Sequence, residues 1–374
     1  MFISNIDTLQ FTLDFNDYNH NISKIADELN NKKSAAKTLA GTYASEKALF
    51  RIMDMVFEVL PNGAKGYSYI LHNSDYEIKL AAVRSSNKNN YPVFVRIKQS
   101  PLWALGVEVS YQYIKYLLSS LFGTVSAEKI NRADLCCHTD EIPFADFDIS
   151  NFKTRCTKKN LFMHGSKQSG FNFGSRSSLI YCRIYDKSLE VSESNNKAWF
   201  KDVWIDNGGD PEIVWNVEFE LKREFFKEQN VETVSELLEI CCGLWHYLAT
   251  DWIQLTNKDR TRLENCTIFD KWVVLSDSFK SLREQKSFIR CSKQREARLP
   301  GIISQVYGYL TTTAALQGIT DMQTAIDVLT VHLSNYAATK NKDFAAIVSD
   351  KMALDTDLDE CALYCRTKAG EAML

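Results

Sequence analysis

Three short stretches of the chain alternate so that one side is apolar and the other carries groups able to do chemistry. They are Arg132-Ala-Asp-Leu-Cys-Cys-His138, Tyr181-Cys-Arg-Ile-Tyr-Asp-Lys187 and Trp215-Asn-Val-Glu-Phe-Glu-Leu-Lys222. Successive residues of a β-strand point to opposite faces. The second stretch therefore places Tyr181, Arg183, Tyr185 and Lys187 together, with Ile184 behind them. The third gathers Glu218, Glu220 and Lys222, and the first aligns Arg132, Asp134 and His138. If the strands are neighbours in one sheet, a tyrosine stands among carboxylates and cations. That is equipment for metal-assisted phosphodiester chemistry.

A tyrosine attacks phosphorus only when its phenol, with an ordinary pKa of about 10, is brought towards deprotonation. Arg183, Lys187 and Lys222 are cations of the type that favours the phenolate. Asp134, Glu218 and Glu220 are candidate ligands for Mg²⁺ or Mn²⁺, and His138 could add a nitrogen. Such an ion would polarise the phosphate and steady the leaving oxygen. The product would be a phosphotyrosine ester, which conserves energy for rejoining without ATP. Taken singly, each residue has a plainer explanation. A charged strand face is usually the wet side of an antiparallel sheet, and a strand tyrosine is usually packed or at a rim.

The elements that must position these groups follow from periodicity and breakers. Thr8–Phe15 reads as a strand, then helical patterning runs from about Ile22 to Leu60, where Pro61-Asn-Gly63 breaks it. Tyr67–His72, Tyr76–Arg84 and Val93–Lys98 read as strands, and Tyr111–Phe122 as a helix stopped by Gly123. Lys129–Cys137 is a strand followed by a long polar connection. Phe171–Gly174 and Leu179–Lys187 form a hairpin across Ser175-Arg-Ser-Ser178, and Ile213–Arg223 is another strand. Thr233 to Leu255 carries a Thr-x-x-Glu capping box and helical apolar spacing. From about Asp270 the pattern stays helical. The fold class is α+β: a largely antiparallel central sheet with packed helices, then a helical C-terminal region. The domains expected are 1–265, catalytic, and 266–374, helical, with a DNA-binding or oligomerisation role.

With 374 residues and 45% apolar content, the chain can bury a substantial core. The start of the sequence lacks a secretory pattern, and no apolar stretch reaches the roughly 20 residues of a membrane helix. Ten cysteines without framework spacing suit a reducing compartment, so a cytoplasmic protein with no membrane partner is expected. Net charge of −3 gives no global case for nucleic acid. The distribution is more telling. Lys280, Arg283, Lys286, Arg290 and Lys293 recur at helical spacing, with Arg295 and Arg298 beyond. This stripe could be a solvated helix face or a DNA contact. A second basic run spans Lys153 to Lys167.

Phe173-Gly-Ser-Arg-Ser-Ser178, Tyr181-Cys-Arg-Ile-Tyr-Asp-Lys187 and Trp215-Asn-Val-Glu-Phe-Glu-Leu-Lys-Arg223 follow Arg132-Ala-Asp-Leu135 in the chain. In this order the four resemble the motifs F-G-x-R-x-S, R-I-Y-x-K, W-x-V-E-x-E-L-K-R and R-x-D-L of the replication initiation factor (Rep_trans) family. That family contains initiators of rolling-circle plasmid replication and MOBT-type relaxases. The resemblance covers roughly Lys129 to Arg223. It implies a site-specific endonuclease and strand transferase, topoisomerase-like in its nicking and closing, that acts at an origin of replication or transfer. It assigns the nucleophile to Tyr185, with Tyr181 as the fallback on the same face, and acidic metal positions to Asp134, Glu218 and Glu220. Arg176 joins the basic stripe as a DNA-contact candidate. One departure is His138, where the family often has a second acid.

Other functions are less well served. The chain has no H-x-H, so a conventional relaxase does not fit, and a tyrosine recombinase would need an absent H-x-x-R. No G-x-x-x-x-G-K-[ST] occurs, so strand separation must come from a partner motor, expected to be a host superfamily-1 helicase. Origin DNA, double- and single-stranded, is the expected ligand, and a homodimer is one option for assembly. The alternative function is a non-catalytic origin-binding protein of a mobile element. An unrelated metal-dependent phosphoesterase would cleave without tyrosine.

Overall fold

A computed structural model describes residues 1–38, 48–87, 89–194, 197–279, 303 and 306–349. The chain divides into two compact units, Met1–Glu193 with Trp204–Phe288 and Ser194–Val203 with Ile289–Leu374. The first unit is built on strands β1 (Phe2–Phe15), β2 (Leu49–Ile52), β3 (Met55–Val59), β4 (Tyr69–His72), β5 (Tyr76–Leu80) and β6 (Val93–Ile97). It continues with β7 (Val125–Thr139), β8 (Phe152–Thr154), β9 (Lys159–His164), β10 (Lys167–Phe173), β11 (Ile180–Asp186), β12 (Trp215–Lys222) and β13 (Ile253–Leu255). Eleven of them form one antiparallel sheet in the order β2-β3-β4-β5-β6-β1-β7-β12-β11-β10-β9. A separate small ladder joins β13 to β8. The largely antiparallel sheet with packed helices is the architecture expected from the sequence.

Helices include α1 (Tyr18–Thr38), α2 (Gln99–Ala104), α3 (Val107–Phe122), α4 (Lys187–Glu193), α5 (Trp199–Asp206), α6 (Arg223–Glu228), α7 (Val234–Tyr247) and α8 (Asp270–Ser276). Of these, α3 and α7 pack on the apolar side of the sheet, whereas α2 lies against the opposite face, which carries His138. Tyr111 of α3 meets Phe11 of β1 edge-on, with centroids 5.4 Å apart, and Trp245 of α7 meets Phe219 of β12 in the same way. Val217, Phe219 and Leu221 alternate along β12 and are fully buried. Each such side chain contributes about 1.5–3 kcal/mol relative to exposure. The α7 capping box is present, with Thr233 accepting from the Glu236 amide and Glu236 reaching back. Trp272 of α8 packs on Phe144 and Phe152, so this helix belongs with the sheet.

Two stretches depart from the sequence expectation. Helical patterning assigned to Ile22–Leu60 is met over Tyr18–Thr38, whereas β2 and β3 within the assigned span form a hairpin. Met53 turns that hairpin with φ of 50°, and Phe50, Ile52, Phe57 and Val59 are its buried members. Their aromatic and β-branched alternation fits a pleated surface better than a helix. The polar connection after β7 also contains β9, which is the sheet's outer edge. The helix begun at Val234 stops at Tyr247, where Leu248–Trp252 forms a wider π turn leading into β13.

The second unit is helical where described, including Met322–Thr339, which Asp321 caps by accepting from the Gln323 and Thr324 amides. No helix among the described residues is long and apolar enough to cross a membrane. The described cysteines are free thiols, and Cys136, Cys137, Cys182 and Cys241 are buried.

Candidate active site

The three stretches become adjacent strands. Register pairs Tyr181 with Glu220 and Arg183 with Glu218, and Tyr185 with Asn216. On the other side of β12, Glu220 pairs with Asp134, Glu218 with Cys136 and Asn216 with His138. Directly opposed residues project from the same face. The polar groups therefore form three cross-strand rows on the side of the sheet opposite Phe219 and Ile184.

The phenol of Tyr185 is the meeting point of one row. It donates to Glu218 Oε2 at 3.0 Å and accepts from Lys187 Nζ at 3.1 Å and Asn216 Nδ2 at 2.9 Å. Lys187 lies just past the end of β11 as the first residue of α4, fully buried, and is also ion-paired to Glu190 at 2.7 Å. Burial alone would pull its ammonium pKa down, but Asp7, Glu190 and Glu218 outweigh this and raise it. Arg183 does not touch the phenol, because its guanidinium is hydrogen-bonded to Glu218 Oε1.

The expected depression of the phenol is reversed. Burial, and then the negative charge of Glu218, push Tyr185 well above the ordinary tyrosine pKa despite the neighbouring Lys187. The phenol is held as a proton donor to a carboxylate.

A second cluster lies along the same face. Arg132 makes a two-pronged contact with Asp134, at 2.7 and 2.6 Å, and reaches Glu220 at 2.9 Å. Lys222 is 3.7 Å from the other oxygen of Glu220. Tyr185 and Tyr181 are four residues apart, so this cluster is about 13 Å along the strand from the phenol row. The structure thus brings Tyr185, Lys187, Glu218 and Arg183 together, and puts Asp134, Glu220 and Lys222 around Arg132. Burial raises the Asp134 carboxyl to about 7, against the opposing pull of Arg132.

Four contributors were not singled out from the sequence: Asp7, Asn216, Trp103 and Trp204. Asp7 occupies a bulge in β1, where the register slips between Ile6 and Thr8. Bulges re-aim side chains, and this one buries a carboxylate. Trp103 Nε1 donates to Asp7 Oδ1 at 2.7 Å, and Gln99, one turn earlier on α2, donates to Oδ2. The Trp103 ring also stacks on His138, with centroids 4.6 Å apart. Trp204 Nε1 donates to His138 Nδ1 at 3.0 Å. An Asp inside the apolar strand Ile3–Phe15 was the readable signal, since Asp is depleted in strands.

The donor sets can be tested against a divalent ion. Asp7, Cys136 and His138 bring three potential ligand atoms within 4.8 Å of one another. An indole N–H only donates, so the neutral His138 ring that accepts at Nδ1 carries its proton on Nε2. Burial also pushes the Cys136 thiol well up, towards the neutral form. This oxygen, sulfur and nitrogen set is not the all-oxygen set that Mg²⁺ prefers. Asp134, Glu218 and Glu220 offer oxygens, but Arg132 and Arg183 already neutralise them. Asp7, Cys136 and His138 are thus compatible with a metal ion without identifying it, whereas the expected carboxylates are already paired with arginines.

Arg176 is exposed in the turn between β10 and β11. Lys280, Arg283, Lys286, Arg290 and Lys293 lie outside the described residues.

No family model matches the chain, and no curated protein matches it. Among solved structures, the fold is similar to a rolling circle replication initiator protein from Geobacillus stearothermophilus. That similarity has 15% sequence identity and a TM-score of 0.41, and covers 74% of this chain and 96% of that one.

Proposed function

We propose that the chain is a site-specific DNA-nicking and strand-transfer protein that forms a 5′-phosphotyrosine intermediate at an origin, as the resemblance to the replication initiation factor family implies. The observation that carries this reading is the Tyr185 hydroxyl, held between a proton acceptor, Glu218, and a buried ammonium, Lys187. A carboxylate that already receives the phenol's proton is a general base in place. As the phenolic oxygen bonds to phosphorus, its proton passes to Glu218 and the bond to the 3′ oxygen breaks. Water protonates that oxygen as it leaves. Lys187 steadies negative charge on the phenolic oxygen, and Asn216 fixes its position. Arg183 holds Glu218 in place.

Mg²⁺ or Mn²⁺ carries no step in this scheme, because its carboxylate candidates are arginine-paired. Strand separation falls to a partner superfamily-1 helicase. The basic stripe from Lys280 to Lys293, with Arg176, supplies duplex contacts, in line with the dominance of phosphate contacts in affinity. Residues 266–374 would then serve DNA binding or self-association, a homodimer included.

The non-catalytic reading has one observation in its favour, the upward shift of the phenol. Incubation with a supercoiled plasmid carrying the origin of the protein's own element separates the two. Nicking accompanied by a protein–DNA adduct supports the transesterase. Binding without either leaves an origin-binding protein.

A further inference from the structure

The second basic run gains meaning from the register of the sheet edge. Residues 149–185 contain no Asp or Glu, yet include Lys153, Arg155, Lys158, Lys159, Lys167, Arg176 and Arg183. Gly170 of β10 pairs with Tyr185 on one side and with Phe162 of β9 on the other. Phe162, Tyr185, Asn216 and His138 thus belong to one cross-strand row on one face. A Cβ built at Gly170 would stand 3.2 Å from Tyr185 Cβ, which confirms that this row points the same way. Gly170 itself is buried and has no room for a side chain, since the same Cβ would stand 2.9 Å from the Ile184 carbonyl oxygen; it lets β10 pack closely on β11. Across two strand spacings, Phe162 is about 9.5 Å from Tyr185, measured between backbones.

Phe162 is 44% exposed. Lys167 pairs with His164, two residues from Phe162, and so lies on the same face. It is exposed, as is Lys158 at the start of the edge. A solvent-facing aromatic ring beside lysines suits a base stacked on the ring with its phosphates on the lysines. Glu193 stands 3.7 Å from His164 at the far end of the strand. An edge strand bearing lysines also resists pairing with a second sheet.

We propose that β9 and β10 form a single-stranded DNA platform. Phe162 would stack a base next to the scissile phosphate, and Lys158 and Lys167 would hold flanking phosphates. This rests on the nicking function proposed above, but its test needs no cleavage.

The full chain is titrated into a fluorescein-labelled 15-nucleotide oligo(dT), with binding read by anisotropy. Phe162→Ala weakens binding roughly tenfold, and Phe162→Trp retains it. The Phe162→Trp variant also shows fluorescence quenching beyond that of the wild type. Replacing Lys158 and Lys167 with Ala flattens the salt dependence by about 1.4 units of slope, at about 0.7 per lost contact. Circular dichroism of each variant shows that the fold is kept. Unchanged affinity of a folded Phe162→Ala overturns the platform. So does a preference for oligo(U), or a change confined to self-association in sedimentation. Failure of the wild type to form an adduct while Phe162→Ala loses oligo(dT) binding would refute the nicking function and leave the platform standing.

Discussion

Lys187 Nζ stands 3.1 Å from the Tyr185 hydroxyl, although one residue opens α4 and the other lies near the end of β11. The same ammonium is paired with Glu190 and faces the field of Asp7. Lys187 therefore joins the Tyr185 phenol to the buried acids behind it. Removing one partner of a buried ion pair leaves the others uncompensated, at about 3–5 kcal/mol. Lys187→Met should lower the urea midpoint accordingly and abolish adduct formation. A midpoint equal to the wild type would show that the buried acids do not depend on this charge.

Glu218 is the next test. It accepts the phenol's proton, so Glu218→Gln removes the base while keeping the shape. General-base loss slows a reaction by about 100-fold or more. Single-turnover nicking of an oligonucleotide substrate measures this. A rate within a factor of two of wild type would remove Glu218 from the mechanism.

The three polar-faced strands and their facing direction were legible because alternation is a local signal, and antiparallel pairing keeps opposed residues on one face. Partner choice was not legible. Types alone could not tell that Arg183 would bind Glu218 instead of the phenol, or that Arg132 would reach Glu220 across the strands, since register decides both. Asp7 was hidden by a bulge, which breaks the period that reading depends on. The β2–β3 hairpin was lost because its short apolar runs satisfy a helical period as readily as a strand one.

Asp134 gives a pH test whose sign is fixed. Its carboxyl is raised from 3.8 to about 7, chiefly by burial, so the folded protein keeps a proton that the unfolded chain releases. Its contribution to stability is complete below about pH 4 and is lost as pH rises through about 7. Asp134→Asn mimics the protonated form. The unfolding free energy of this variant minus that of wild type should therefore increase between pH 5 and pH 8. An equal difference at both values would mean that Arg132 keeps Asp134 ionised throughout.

The arginine pairs also govern metal binding. Mn²⁺ titrated into the free protein, followed by electron paramagnetic resonance, should show no saturable site that depends on Asp134 or Glu220. Arg132→Ala frees Asp134 and Glu220, and should create one. A tight site in the wild type that Asp134→Asn abolishes would place the ion on the carboxylates after all.

The central claim is that Tyr185 forms the bond to DNA. Its most direct measurement is peptide mapping by mass spectrometry of the adduct formed on origin DNA and trimmed by nuclease. The account predicts a nucleotide mass on the peptide that contains Tyr185, and no adduct from Tyr185→Phe even though that variant still binds DNA. A wild-type yield of adduct from Tyr185→Phe, or the nucleotide mapped to Tyr181, would contradict it.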